Sequence, residues 1–148
     1  MKKVIFLAGL FLISFNSFAG VCANGSLTGA YNINHLHVAS GGSDHEVGRF
    51  NFNGKGAATY SGVNSDGGYI DFQAGSGTYS VSSACIATGT LNLHNGRTKV
   101  TYWLYLDRMD NVPATRVAYH GNIVYKATRV GESPSSGSGT LDRVVGKF

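Results

Sequence analysis

The sequence predicts an all-β protein: a single small antiparallel barrel of about eight short strands in meander order, with a two-sheet β-sandwich as the alternative. Three observations carry this prediction. Glycine makes up 21 of 148 residues against only two prolines, a density that helices do not tolerate. The pairs Asn53-Gly54 and Asn95-Gly96 are strong hairpin signals, because a tight turn needs positive φ at its centre. Between the turns lie short β-prone runs rich in Val, Thr, Tyr and Trp.

The first 19 residues precede the fold. Lys2 and Lys3 are followed by an apolar run from 4 to 13, and Ser17 and Ala19 are small residues placed for signal-peptidase cleavage. The run is too short for a membrane anchor, which needs roughly 20 apolar residues. Val21 before Cys22 departs from the lipoprotein pattern. The expected product is a secreted or periplasmic protein with the barrel over 20–130. A flexible Ser/Gly-rich tail over 131–148 follows it and can add a final short strand.

Strands are expected at 27–38, 48–52, 57–63, 69–73, 77–82, 88–93, 98–106 and 115–126. Turns fall at Asn53-Gly54, at 64–68, at Ala74-Gly75-Ser76 and at Asn95-Gly96. Such spacing suits an up-and-down sheet, and closure removes its two exposed edges. Interior glycines (Gly29, Gly62, Gly77, Gly89, Gly121) fit the tight curvature of a small barrel. An outer-membrane barrel is disfavoured, because its strands run to roughly ten residues and those at 69–73 and 77–82 are about half as long.

The cysteines, Cys22 and Cys85, are two in number. In an exported chain an even count reads as a disulfide, here with a single intramolecular connectivity. The full chain carries 12 basic and 8 acidic residues. Loss of Lys2 and Lys3 leaves ten against eight, a net charge of +2. Those ten are scattered singly, so a nucleic-acid track, which needs a basic cluster with stacking aromatics, is not expected.

Leu27-Thr28-Gly29-Ala30-Tyr31, the segment from Gly48 to Gly56, and Gly77-Thr78-Tyr79-Ser80-Val81 followed by Cys85 form a pattern that resembles small secreted bacterial and fungal β-barrel proteins. That group includes lipocalin-like and allene-oxide-cyclase-like folds. The resemblance covers about residues 27–93 and implies a barrel. It names no catalytic residue.

Candidate chemistry is sparse. His35 and His37 stand two apart on a predicted strand and so share a face, which is the minimum for a metal pair; a solvated strand end is the competing reading. Asp44 with Glu46, and Asp107 with Asp110, read as loop carboxylates beside arginines rather than as acid–base pairs. Around Trp103 both faces of the strand are apolar or amphipathic. Trp103 and Tyr105, with Tyr119 and His120 on the next strand, are therefore the expected ligand or partner surface. Phe50, Phe52, Tyr79, Leu91 and Leu93 are expected to fill the barrel.

The function expected is a binding or interaction module, for a small apolar ligand or a protein partner, with no cofactor. A barrel enzyme of cyclase or isomerase type is the alternative, and a structural or host-directed factor a third. A cavity lined by His35, His37 or His120 would favour the enzyme, and a plugged or apolar interior the binder.

Overall fold

The computed structural model describes residues 21–39, 42–66, 69–110 and 116–145. The expected leader lies outside the described residues. Eight strands form one closed antiparallel barrel: β1 (Thr28–Ala39), β2 (Gly42–Asn53), β3 (Ala57–Asp66), β4 (Tyr69–Val81), β5 (Ile86–Leu93), β6 (Thr98–Met109), β7 (Ala118–Arg129) and β8 (Ser135–Arg143). Each strand pairs with its sequence neighbour, and β8 returns to β1, with Ile33 opposite Leu141 and Val38 opposite Ser136. The closure excludes the sandwich.

Two elements differ from expectation. The segments 69–73 and 77–82 are one continuous strand, β4, of 13 residues. Gly75, expected in a turn, and Gly77, expected at a strand start, are both interior strand positions where β4 lies close against β5. A Cβ on either would run into the backbone of Asn92 or Thr90. The second difference is β8, drawn from the Ser/Gly-rich segment. Its small residues allow close approach: Gly137 lies beneath the Tyr125 ring and Gly139 against the backbone of His35. The strands are thus 8–13 residues long, and the length argument against a membrane barrel falls. The orientation of the faces replaces it. A membrane barrel carries a continuous apolar band outside, whereas here Arg49, Lys99 and Lys126 sit mid-strand on the outer face, between exposed hydrophobes such as Val47, Trp103 and Val124.

The turns follow their sequence signals. Asn53 Oδ1 accepts hydrogen bonds from the Lys55 and Ala57 amides at 2.8 and 2.9 Å, and Gly54 takes φ +74°, a conformation that favours glycine. Asn95 and Gly96 form part of the left-handed turn between β5 and β6.

One end of the barrel is packed solid. Tyr31, Phe50, Phe52 and Tyr79 form a chain of ring contacts, with centroids 5.2 Å apart in the stacked Phe50–Phe52 pair and 5.0 Å in the edge-on Phe52–Tyr79 pair. Beneath them lies a single 3-10 turn, Asn24–Ser26. Asn24 Oδ1 accepts the Val81 amide at 2.8 Å, and the Tyr79 hydroxyl donates to the Leu27 carbonyl at 2.7 Å. Cys22 is disulfide-bonded to Cys85, with Cα atoms 5.1 Å apart, which ties this plug to the β4–β5 connection.

The bridge spans 63 positions, so constraint of the unfolded chain stabilises by about 4 kcal/mol in the loop-entropy treatment. Reduction, or Cys85→Ser, is expected to lower the melting temperature markedly, and an unchanged calorimetric melt would contradict this. A second expectation concerns Gly62, where a Cβ would overlap the Tyr60 hydroxyl. Gly62→Val is expected to cost about 1–3 kcal/mol in urea unfolding, as overpacking does. The cost should shrink in a Tyr60→Ala background, because the clash partner is then gone.

Candidate functional site at the open end of the barrel

Inward positions alternate along every strand, and on β2 they read Asp44, Glu46, Gly48, Phe50 and Phe52. The phenylalanines lie toward the plug and the carboxylates toward the other end. Asp44 and Glu46, expected on a solvated loop, are therefore interior groups, 8% and 6% exposed. The physical reason is strand length: β2 begins at Gly42, six residues earlier than its sequence signal.

The two carboxylates stand in a cavity of about 600 Å³ that opens between the β5–β6 and β7–β8 connections. Phe50, Leu91, Tyr102 and Ile123 line its deep part, while Tyr69, His94, Arg129 and Glu132 stand at the rim.

Glu46 is the hub. It faces His35 directly across the β1–β2 ladder, and its Oε2 lies 2.8 Å from His35 Nε2. The Tyr60 hydroxyl donates a short hydrogen bond to its other oxygen. The Tyr60 ring reaches that position by lying over Gly48 and Gly62, where any side chain would displace it. Tyr125 stacks edge-on against His35 with ring centroids 4.7 Å apart. Nε2 is thus turned to the carboxylate, and Nδ1 is the ring nitrogen left facing the interior.

Several polar atoms of the lining are buried and lack a hydrogen-bond partner among the described residues: His35 Nδ1, Asn64 Oδ1, Thr98 Oγ1 and the Tyr102 hydroxyl. Such groups are costly to bury unsatisfied. The tyrosines are held protonated. Burial raises Tyr60, Tyr102 and Tyr125 well above the ordinary phenol value, and the negative charge of Glu46 adds to the effect at Tyr60 and Tyr125. Tyr31, beneath the cavity, is pushed up to about 12 by burial.

No family model matches the chain, and no curated protein does. A solved structure of similar shape is that of EF1p2_mFAP2b bound to DFHBI, at TM-score 0.55 and 12% identity, covering 80% of this chain and 94% of that one. The likeness is one of fold, a small β-barrel.

Of the histidines singled out in sequence, His35 points into the cavity. The side chain of His37 lies outside the described residues. Among the described residues, no group of three or more His, Cys, Asp or Glu is placed to hold a metal ion, and no helix is long and apolar enough to cross a membrane. Trp103 and Tyr105 lie on the outer face of β6, 44% and 60% exposed, with Val124 opposite Trp103. Tyr119 is also exposed. His120 belongs to a different cluster: its Nδ1 lies 2.5 Å from Asp107 Oδ1, and that hydrogen bond lowers the Asp107 carboxyl below its ordinary value. None of these four residues lines the cavity.

Sequence reasoning missed Asp44, Glu46, Tyr60, Asn64 and Tyr125. Parity was the available signal. Counting by twos from the core residue Phe50 reaches Glu46 and Asp44, and Tyr60, Gly62 and Asn64 share one face of β3.

The raised tyrosines set an alkaline limit. A phenol whose folded pKa exceeds its unfolded value of about 10 gives its full stability below that pH and loses it as pH rises toward the folded value. Tyr31, Tyr60, Tyr102 and Tyr125 are therefore expected to ionise only together with loss of the β-sheet circular dichroism signal. Phenolate absorption from all tyrosines with the sheet intact would contradict this.

Proposed function

We propose that the protein is an exported, lipocalin-like binding barrel that takes a small, largely aromatic or apolar molecule into its open end. The observation that carries this reading is the cavity itself. Its volume of about 600 Å³ falls in the range of small-molecule sites, and its make-up, an aromatic floor with a few convergent polar groups, is theirs too. Among the described residues the opposite end is plugged and tied by the disulfide. The solved barrel with bound DFHBI supports the reading at the level of fold, and the leader-like segment with the disulfide supports export.

A second reading, a proton-transfer enzyme of isomerase or cyclase type, draws on one specific feature. The His35–Glu46–Tyr60 chain is buried and opens onto the same cavity, as a positioned general base does. A cavity lined by His35 is what the sequence criterion set for this reading, but the binding reading is preferred because the aromatic and apolar floor of Phe50, Leu91, Tyr102 and Ile123 offers a guest its broad contact area. The exposed Trp103 and Tyr105 are kept as a separate surface for a protein partner.

The test uses the mature oxidised protein and the neutral fluorophore N-phenyl-1-naphthylamine. The wild-type barrel should enhance its emission saturably at one site. Ala127→Trp, which fills the mouth from β7, should abolish the enhancement with the fold retained. Failure of the wild type to take up the probe, or equal uptake by the blocked barrel, would overturn the reading.

A further inference from the structure

The charge of the lining says more about the guest. Four carboxylates line the cavity, Asp44, Glu46, Asp71 and Glu132, against a single arginine, Arg129. That arginine sits at the rim and is engaged by Glu132 at 3.4 Å. Asp71 lies 3.5 Å from His94, also at the rim. The deeper carboxylates, Asp44 and Glu46, belong to a small set of buried polar residues that includes His35, 2.8 Å from Glu46, and no lysine or arginine among the described residues. A recess with low-dielectric walls and an excess of one sign of charge concentrates its field on whatever enters.

A second, independent feature points the same way. Asn64 Oδ1, Thr98 Oγ1, the Tyr102 hydroxyl and His35 Nδ1 are unpartnered polar atoms on side chains at least nine-tenths buried, all in the same lining. The Asn64, Thr98 and Tyr102 oxygens each offer a lone pair. Tyr60, Tyr102, Tyr125 and Phe50 supply π faces at the same depth, and a ring face attracts a cation. An ammonium group carries three donors and no acceptor, so it complements this array. A carboxylate guest would meet the field of like charges.

Resting on the binding reading above, we propose that the barrel selects organic cations: amines whose ammonium group sits beside Asp44 and Glu46 while an aromatic or apolar body fills the floor. Asn64 Oδ1 and the Tyr102 hydroxyl orient the ammonium. Glu46 keeps His35 and Tyr60 fixed around it.

A matched set of indoles tests this by calorimetry on the mature protein: tryptamine as the cation, tryptophol as the neutral isostere and indole-3-acetate as the anion. Tryptamine is expected to bind about tenfold or more tighter than tryptophol, as a partly desolvated ion pair with ring contacts would give, and indole-3-acetate the weakest. Glu46→Gln should remove most of that preference while N-phenyl-1-naphthylamine uptake persists, which shows that the barrel still folds. Asp44→Asn serves the same purpose if Glu46→Gln does not fold. Equal or tighter binding of tryptophol or indole-3-acetate overturns the proposal. So does a preference undiminished in both variants, and so does absence of tryptamine binding in a barrel that takes up the neutral fluorophore. If the fluorophore itself is not taken up, it is the binding reading that fails.

Discussion

The interior is organised by one steric constraint: a large ring on one strand requires a glycine beneath it. Eight strands enclose little space, and a tyrosine facing straight inward would cross the barrel. Here the rings lie along the wall instead. Tyr102 covers Gly89, Tyr125 covers Gly137, and Tyr60 covers both Gly48 and Gly62. Each tyrosine thus packs its ring against sheet backbone and places its hydroxyl at a determined height. Volume is conserved along the wall, and a central space is left over. The cavity is a product of this arrangement rather than a packing defect.

The two ends divide the remaining tasks. At the closed end, Phe52 and Tyr79 are buried over the Asn24–Ser26 turn, and the disulfide fastens the segment before that turn to the β4–β5 connection. At the open end the same alternation places Asp44, Glu46, His35 and Asn64 inside. Polar groups at such depth are held by one another, His35 to Glu46 and Tyr60 to Glu46, since an isolated buried charge is not tolerated. Stability is concentrated at one end and chemistry at the other.

Much of the fold was legible in the sequence because its signals are local. Asn53-Gly54 and Asn95-Gly96 announce turns through backbone preference alone, and the run 98–106 announces β6 through its composition. The unread parts depend on partners distant in sequence. Gly75 looks like a turn residue until β5 is set beside it, and Gly137 and Gly139 look like a linker until Tyr125 and His35 lie over them. The disulfide needed only a count of cysteines. The site was hardest to read: Glu46 resembles an exposed acid, and its burial follows from an eleven-residue offset to His35 across a ladder. The aromatic signal at Trp103 and Tyr105 was real but marks the outside of the wall.

The seam between β1 and β8 has a kinetic meaning. Its partners stand roughly a hundred residues apart, as Tyr31 and Arg143 do, and contacts of such separation form late and slowly. Every other ladder joins neighbours and can assemble as a growing curved sheet. Until the seam closes, Gly139 cannot meet His35, and the chamber stays open along one side. β8 is thus the strand that converts a curled sheet into a vessel.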